Sequence, residues 1–376
     1  MLTPRDFREI ENEISRIYSD IETDLVRAIC RYVAKNEGDI SIDEWRERKN
    51  IGWESFKVKL YKLASIDSGK ISGQIDDLIE KVVEKNNDSD RKIIDAIQKH
   101  RKGTKEEIKI EPTEIQKEKI RAIIANAKSG INLTNTRAIT GSQSFFENAI
   151  NRAYLDVVEG TETLSDAVYK ATRQLAKQGI TVASYGTSGK PYNMSIDAVV
   201  RRNVVTSVSQ ATSQMTLDTA QQNNCDLVKT SEHLGARPEH YLWQGKVFSI
   251  SGTSDKYPYL SAPQESGGTG YGTAEGLCGC NCRHFFFPYV EGFNPASYGI
   301  DDVTASENEE IYQATQKQRY FEREIRAWRR VAKVSQDQKN REGAVDAFAR
   351  ANAFESKLEK LTARYNLPRQ RDREKI

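Results

Sequence analysis

The apolar residues at the start of the chain recur in helical steps. Phe7, Ile10, Ile14, Ile17, Ile21 and Leu25 follow one another at intervals of three or four, with charged residues between them, which predicts a helix with one apolar and one solvated face. Two further series, Phe56, Leu60, Leu63 and Ile66, then Ile75, Leu78, Ile79 and Val82, predict a small bundle followed by the charged run 84–105. The stretch 103–112 reads as a connection, because its charges lack an apolar stripe and Pro112 disfavours helix at Glu111. Beyond the polar segment 129–136, helical spacing resumes with Phe146, Ile150, Tyr154 and Val157 and ends near Gly160. Thr163 is placed to cap a second helix with the stripe Leu164, Val168, Ala171 and Leu175, and Gly179 stands where a left-handed cap would end it. The next long helix starts near Ser195 and runs towards Asn223. Its centre, 203–214, is rich in Asn, Ser, Thr and Gln. Such a face either meets another chain or returns its hydroxyls to its own carbonyls.

From Cys225 the texture changes. Short β-prone runs at 227–230 and 246–250, a Gly/Ser-rich loop and the run 285–289 predict a small α+β module. Helical spacing returns after 303 through Tyr312, Phe321, Ile325, Trp328 and Val331, then Val345, Phe348, Leu358, Leu361 and Tyr365, with Pro368 opening a charged tail. The expected fold is mainly α-helical and multidomain, with a small α+β Cys/His-containing module inserted before the C-terminal helices. The division read along the chain is 1–110, a charged helical region; 111–225, a helical domain; 226–300, the module; and 301–376, basic C-terminal helices and tail.

Composition narrows the function classes. Of 376 residues, 29% are charged and only 38% hydrophobic, so much of the chain must be solvated helix face. No run approaches the roughly 18 apolar residues of a membrane span, and the first residues lack an apolar signal core, so neither embedding nor export is expected. Five cysteines are too few for a disulfide framework and fit a reducing cytoplasm. The net charge of +2 is uneven: residues 316–376 hold 17 Lys and Arg against 9 Asp and Glu, so this end carries +8 and the rest −6. Arg319, Arg323, Arg326, Arg329 and Arg330 are therefore candidate contacts to nucleic-acid phosphates, the alternative being a solvated helix face.

The most informative words lie in the module: His233-Leu234-Gly235-Ala236-Arg237-Pro238-Glu239-His240, then Trp243-Gln244-Gly245-Lys246, then Cys278-Gly279-Cys280-Asn281-Cys282-Arg283-His284. With the helical hairpin marked by Gly160 and Gly179, Ala198 to Arg202, and Arg319 to Arg326, they resemble the bacteriophage minor capsid protein 2 family, itself similar to Mu F-type head morphogenesis proteins. The resemblance covers about residues 140–330. It implies a structural role in the virion: a few copies in the head interior or at the portal vertex, contact with the portal and other head components, a part in assembly or in handling DNA at the vertex, and residence in the host cytoplasm during assembly; the basic C-terminal helices add an expected contact with packaged double-stranded DNA without sequence preference. Its motif positions are His233, Gly235, Arg237, His240, Trp243, Gly245, Asn281 and Arg283, together with Cys278, Cys282 and His284, while Cys280 is variable in the pattern.

Read as chemistry, Cys278, Cys282 and His284 are candidate ligands of a structural zinc, joined by His233 or His240. On an extended strand alternate side chains stand about 6–7 Å apart, so a bend, which Gly279 allows, is needed to bring them to one ion. Reduced buried cysteines or a disulfide are the alternatives. His233, Arg237 and His240 also have the make-up of a metal-free nuclease: a base, an acid and a phosphate clamp. A structural role for them is the simpler reading, and a DNA-binding protein outside the virion is the remaining rival. Neither 186–191, two residues short of a phosphate loop and with proline after lysine, nor the 267–272 glycine loop, with no helix behind it, reads as a nucleotide site. The first reads as a turn and the second as a flexible loop.

Overall fold

Amphipathic periodicity becomes long helices. The structure, a computed structural model, describes residues 4–35, 40–65, 68–102, 113–185, 192–293 and 303–376. Its helices are α1 (Pro4–Ala34), α2 (Ile42–Ser65), α3 (Ser68–Lys102), α4 (Glu114–Val158), α5 (Leu164–Gln178), α6 (Ile196–Gln222), the short α7 (Pro238–Tyr241), α8 (Ala305–Asp337) and α9 (Arg341–Tyr365). The strands are β1 (Thr181–Tyr185), β2 (Tyr192–Ser195), β3 (Leu227–Thr230), β4 (Val247–Ser249) and β5 (Phe286–Tyr289). The fold is mainly helical with small sheets, as the patterning predicts. The connection read at 103–112 and the turn read at 186–191 lie outside the described residues.

The polar segment 129–136 does not interrupt the chain's helicity: α4 runs through it. Its residues include no proline, and only Gly130 carries a sizeable helix penalty, about 1 kcal/mol relative to alanine. That glycine has a packing reason, since a Cβ there would come within 3.1 Å of the Asn203 side-chain amide. The Thr163 cap is formed as expected, and the Gly179 cap falls at the expected residue but not in the expected conformation. Thr163 accepts from the Asp166 amide at 3.2 Å, and Gly179 ends α5 with φ +73 and ψ −175, a positive-φ exit that is extended rather than left-handed helical.

The chain divides into two compact units, each assembled from three segments. One comprises Met1–Glu11, Gln74–Gly130 and Arg201–Gln316, the other Asn12–Gly73, Ile131–Val200 and Lys317–Ile376. The described part of the module, residues 226–293, falls within the first. There β3 is the centre of an antiparallel sheet of order β4-β3-β5, with Val228 opposite Phe248 on one side and Pro288 on the other. Beneath it, Val228, Trp243, Phe248, Leu260, Leu277, Cys278, Cys282 and Phe286 form a continuous apolar core, with Leu217 of α6 packed against it.

In the polar centre of α6, Ser209, Thr212 and Ser213 are buried, and two of these hydroxyls return to the helix's own carbonyls. Thr212 Oγ1 donates to the Val208 carbonyl at 2.9 Å and Ser213 Oγ to that of Gln210 at 3.0 Å. Thr216 instead donates to Asp90 on α3, which also accepts from Asn86 Nδ2 at 3.0 Å. Burial pushes the Asp90 carboxyl up to about 7 despite both bonds. Because the folded value is raised, the unfolded chain releases this proton first as pH rises, so stability falls between about pH 4 and 7. Asp90→Asn is expected to melt progressively higher than the wild type across that window, by up to a few kcal/mol at its top. Paired thermal melts at pH 5 and 7.5 test this. An unchanged difference between the two proteins would show that Asp90 ionises normally.

In the second unit Trp53 stacks on Phe146 with ring centroids 4.0 Å apart, and Tyr32 stacks on Phe56 at 4.3 Å. The β1–β2 pair is antiparallel, with Tyr185 opposite Tyr192. The expected tail after Pro368 is instead a docked segment. Gln370, Arg373 and Glu374 are buried, and the backbone carbonyls of Arg373, Glu374 and Ile376 accept from Arg326 at 2.6 Å, Arg329 at 2.6 Å and Lys333 at 3.0 Å on α8. Its charges pair with one another and with the neighbouring helices, Arg369 with Glu374 and with Glu359 of α9 and Arg373 with Glu322 of α8, so the segment is held rather than free.

Candidate metal centre in the α+β module

Two local devices aim the histidines. Pro238 starts the single turn of α7, which carries His240 inward until it is 2% exposed. On the other side, Cys278 and Asn281 take up φ +61 and +55, bending the 278–284 segment away from an extended strand. This is the bend that convergence on one point requires. Asparagine tolerates that conformation better than most side chains.

The result is a tight trio. Cys282 Sγ lies 3.8 Å from His240 Nδ1 and 3.7 Å from His284 Nδ1, and the three ligand atoms all fall within 4.8 Å of one another. Each ring is held from behind. His240 Nε2 donates to the Glu275 carbonyl at 2.8 Å. His284 Nε2 lies 3.1 Å from Gln244 Oε1, the same oxygen that accepts the His233 amide at 3.2 Å. Around the trio, Trp243 packs 4.7 Å from both imidazoles, and His233 stacks on His284 at 4.2 Å. Burial pushes the imidazoles down, His233 to about 4, and the Cys278 and Cys282 thiols up.

Of the expected ligands, Cys282 and His284 come together, and His240 rather than His233 joins them. Cys278 stands outside the trio. Its Sγ faces the His284 carbonyl at 3.7 Å, and its side chain belongs to the apolar core. All five cysteines are free thiols.

The remaining motif positions are structural fasteners. A Cβ on Gly245, at φ +70, would sit 2.1 Å from the Glu232 carboxylate, and one on Gly235, also at φ +70, would sit 3.0 Å from Ile311. Arg237 donates to the Cys280 carbonyl at 2.8 Å, and Arg283 makes a forked pair with Glu11 at 2.8 and 2.9 Å. His233 Nδ1 lies 3.1 Å from the carbonyl of Leu234. His233, Arg237 and His240 thus all engage the module's own backbone, and the geometry offers no argument for a phosphate clamp. The glycine loop is not loose either. Gly268, Thr269 and Gly270 donate to Pro263, Leu260 and Ala262, and a Cβ at Gly268 would meet the Ala262 carbonyl at 2.1 Å. These glycines permit close backbone layering rather than motion.

Sequence reasoning missed Gln244, Asn308 and Glu11. Asn308 on α8 clamps both backbone groups of Ala236, at 3.0 and 2.9 Å, and Glu11 lies 272 residues from Arg283. Only Gln244 had a signal, its place in the Trp-Gln-Gly-Lys word.

The arginine stripe is largely used within the second unit. Arg326 and Arg330 are buried and paired with Asp197 at 3.2 Å and Glu22 at 2.9 Å, so neither reaches a phosphate. Arg329 bonds the Glu374 carbonyl and the Glu355 carboxylate, Arg319 is half-buried, and Arg323 alone of the five is exposed. Sequence spacing put five cations near one face, but the core took two of them.

The sequence profile of phage minor capsid protein 2 matches residues 2–363. The chain belongs to this family. The match extends over the N-terminal helices as well as the module, well beyond residues 140–330 where the motifs carried the resemblance. Two curated relatives are each called a structural protein. One, from Lactococcus phage LL-H, is 27% identical over 61% of this chain and 61% of its own length; the other, from Lactococcus phage mv4, is 36% identical over 28% of this chain and 86% of its own length. The chain thus spans about three-fifths of the LL-H protein. No solved structure matches significantly. As a member of the minor capsid protein 2 family the chain is a phage structural protein, and no helix among its described residues is long and apolar enough to cross a membrane.

Proposed function

We propose that the chain is a minor component of the phage head that docks at the portal vertex and touches packaged DNA through phosphates. The observation that carries this reading is the family match over 2–363, with its implication of a protein built into the particle. The buried ion pairs and the fastened module support a binding role, since they organise a scaffold and leave the motif histidines engaged internally. Coexpression of the chain with the portal and head proteins tests the docking step. Copurification with portal rings or proheads is expected, and recovery only as free protein, while heads assemble, would contradict it.

For the DNA interaction, the favourable surface is α9 and not the stripe on α8. Arg350, Lys357, Lys360 and Arg364 are exposed and recur at steps of seven, three and four, which places them along one face. Such a face binds without reading bases. Alanine at Lys357, Lys360 and Arg364 together is expected to weaken binding to duplex DNA and to reduce the slope of log affinity against log salt by about 0.9 for each phosphate no longer neutralised. An unchanged slope would mean that the face is merely solvated.

A further inference from the structure

We infer that His240, Cys282 and His284 form a zinc site, with His240 Nδ1, His284 Nδ1 and Cys282 Sγ as its protein ligands. The acceptors behind the two rings fix their tautomers. A backbone carbonyl can only accept, so the His240 Nε2 that faces Glu275 at 2.8 Å carries the hydrogen. Gln244 Oε1 takes the His233 amide as well as His284 Nε2, which identifies that atom as the oxygen and puts the hydrogen of His284 on Nε2 too. Both neutral rings therefore turn an unprotonated Nδ1 towards the same sulfur.

A thiol has one hydrogen and can serve only one of those two nitrogens. The second lone pair would face the sulfur lone pairs in a buried site, where an unmatched polar atom costs about 1–3 kcal/mol. A cation satisfies all three atoms at once. Both sulfur–nitrogen edges fit a coordination shell: zinc–sulfur and zinc–nitrogen bonds of about 2.3 and 2.0–2.1 Å at a tetrahedral angle give an edge of about 3.6 Å, against the 3.7 and 3.8 Å found, and the two nitrogens lie within 4.8 Å of each other. The outer contacts also fit, because metal-binding imidazoles commonly donate their other N–H to a carbonyl, which fixes ring orientation. A soft thiolate with two imidazoles selects zinc over magnesium or calcium.

The site would tie α7 to the 278–284 bend, clamping a module whose sheet has only three short strands. The fourth coordination position belongs to no side chain of the trio. Cys278, which faces the His284 carbonyl, is the internal control.

The test uses the full chain purified without chelator. About one zinc per chain is expected by elemental analysis, as is a lower melting temperature after chelation that added zinc restores. Cobalt(II) added to the chelated protein is expected to give a thiolate-to-cobalt charge-transfer band, a readout that needs no variant to fold. Cys282→Ser should lose the band, and Cys278→Ser should keep both band and zinc. Absence of zinc together with absence of the cobalt band in the wild-type chain would overturn the site. Loss of metal on Cys278→Ser with retention on Cys282→Ser would overturn the ligand set.

Discussion

Replacing Glu22 with alanine is expected to destabilise the protein by about 3–5 kcal/mol, because it leaves a buried guanidinium without its counter-charge. Glu22 and Arg330 are 2% and 5% exposed, and the carboxylate accepts from Arg330 Nη1 and from the Ile180 amide, both at 2.9 Å. Burial still holds the Glu22 carboxyl above the usual carboxylate range, outweighing the pull of Arg330. Glycine at 179 belongs to the same arrangement: a Cβ there would stand 2.5 Å from Glu22 Oε1 and 2.7 Å from Arg330 Nη2. Arg330 also donates to the Ala176 carbonyl at 2.9 Å, so the pair joins α1, α8 and the end of α5. Denaturant unfolding of Glu22→Ala measures the effect. A loss below about 1 kcal/mol would match an exposed ion pair and contradict this account of the second unit's core.

Trp243→Ala is the second large expectation, at about 3–5 kcal/mol for a buried aromatic truncated to alanine. Trp243 is 2% exposed and lies between the apolar core beneath the sheet and the imidazoles of His240 and His284. Its loss removes the wall that fixes both rings, so the reactivity of Cys282 towards a thiol reagent should rise in the folded variant as well. Trp243→Phe, which retains most of the apolar packing, should lose much less. If alanine and phenylalanine are equally tolerated, the module's core does not rest on this ring.

The helices of this protein are legible because their signals are local. The three- and four-residue steps of α1, the Thr163 cap of α5 and the β-prone runs that become β3, β4 and β5 all involve residues within a few positions of one another. What the sequence hides is partnership over distance. Glu22 and Arg330 are 308 residues apart, so a row of arginines on α8 reads as a phosphate-binding stripe until the fold turns two of them inward. The closing segment misleads in the same way: its charges suggest solvent, yet its backbone carbonyls are the acceptors for Arg326, Arg329 and Lys333. The β1–β2 pair was missed because its strands are short and border the 186–191 segment, which composition marks only as a turn.

The candidate site was half legible. Cys282 and His284 stand two residues apart in a conspicuous word, and the need for a bend could be argued from strand geometry. The exclusion of Cys278 and the choice of His240 over His233 could not. They depend on a one-turn helix started by Pro238 and on left-handed backbone at Cys278 and Asn281, which together decide which side chains share a point.

The central claim, that this minor capsid family member is built into the phage particle, is tested most directly by quantitative mass spectrometry of purified particles before and after DNA release. The account predicts the chain in both samples at a fixed ratio to the portal protein and far below the major head protein. Its absence from purified particles, with abundant free chain in the lysate, would contradict the account.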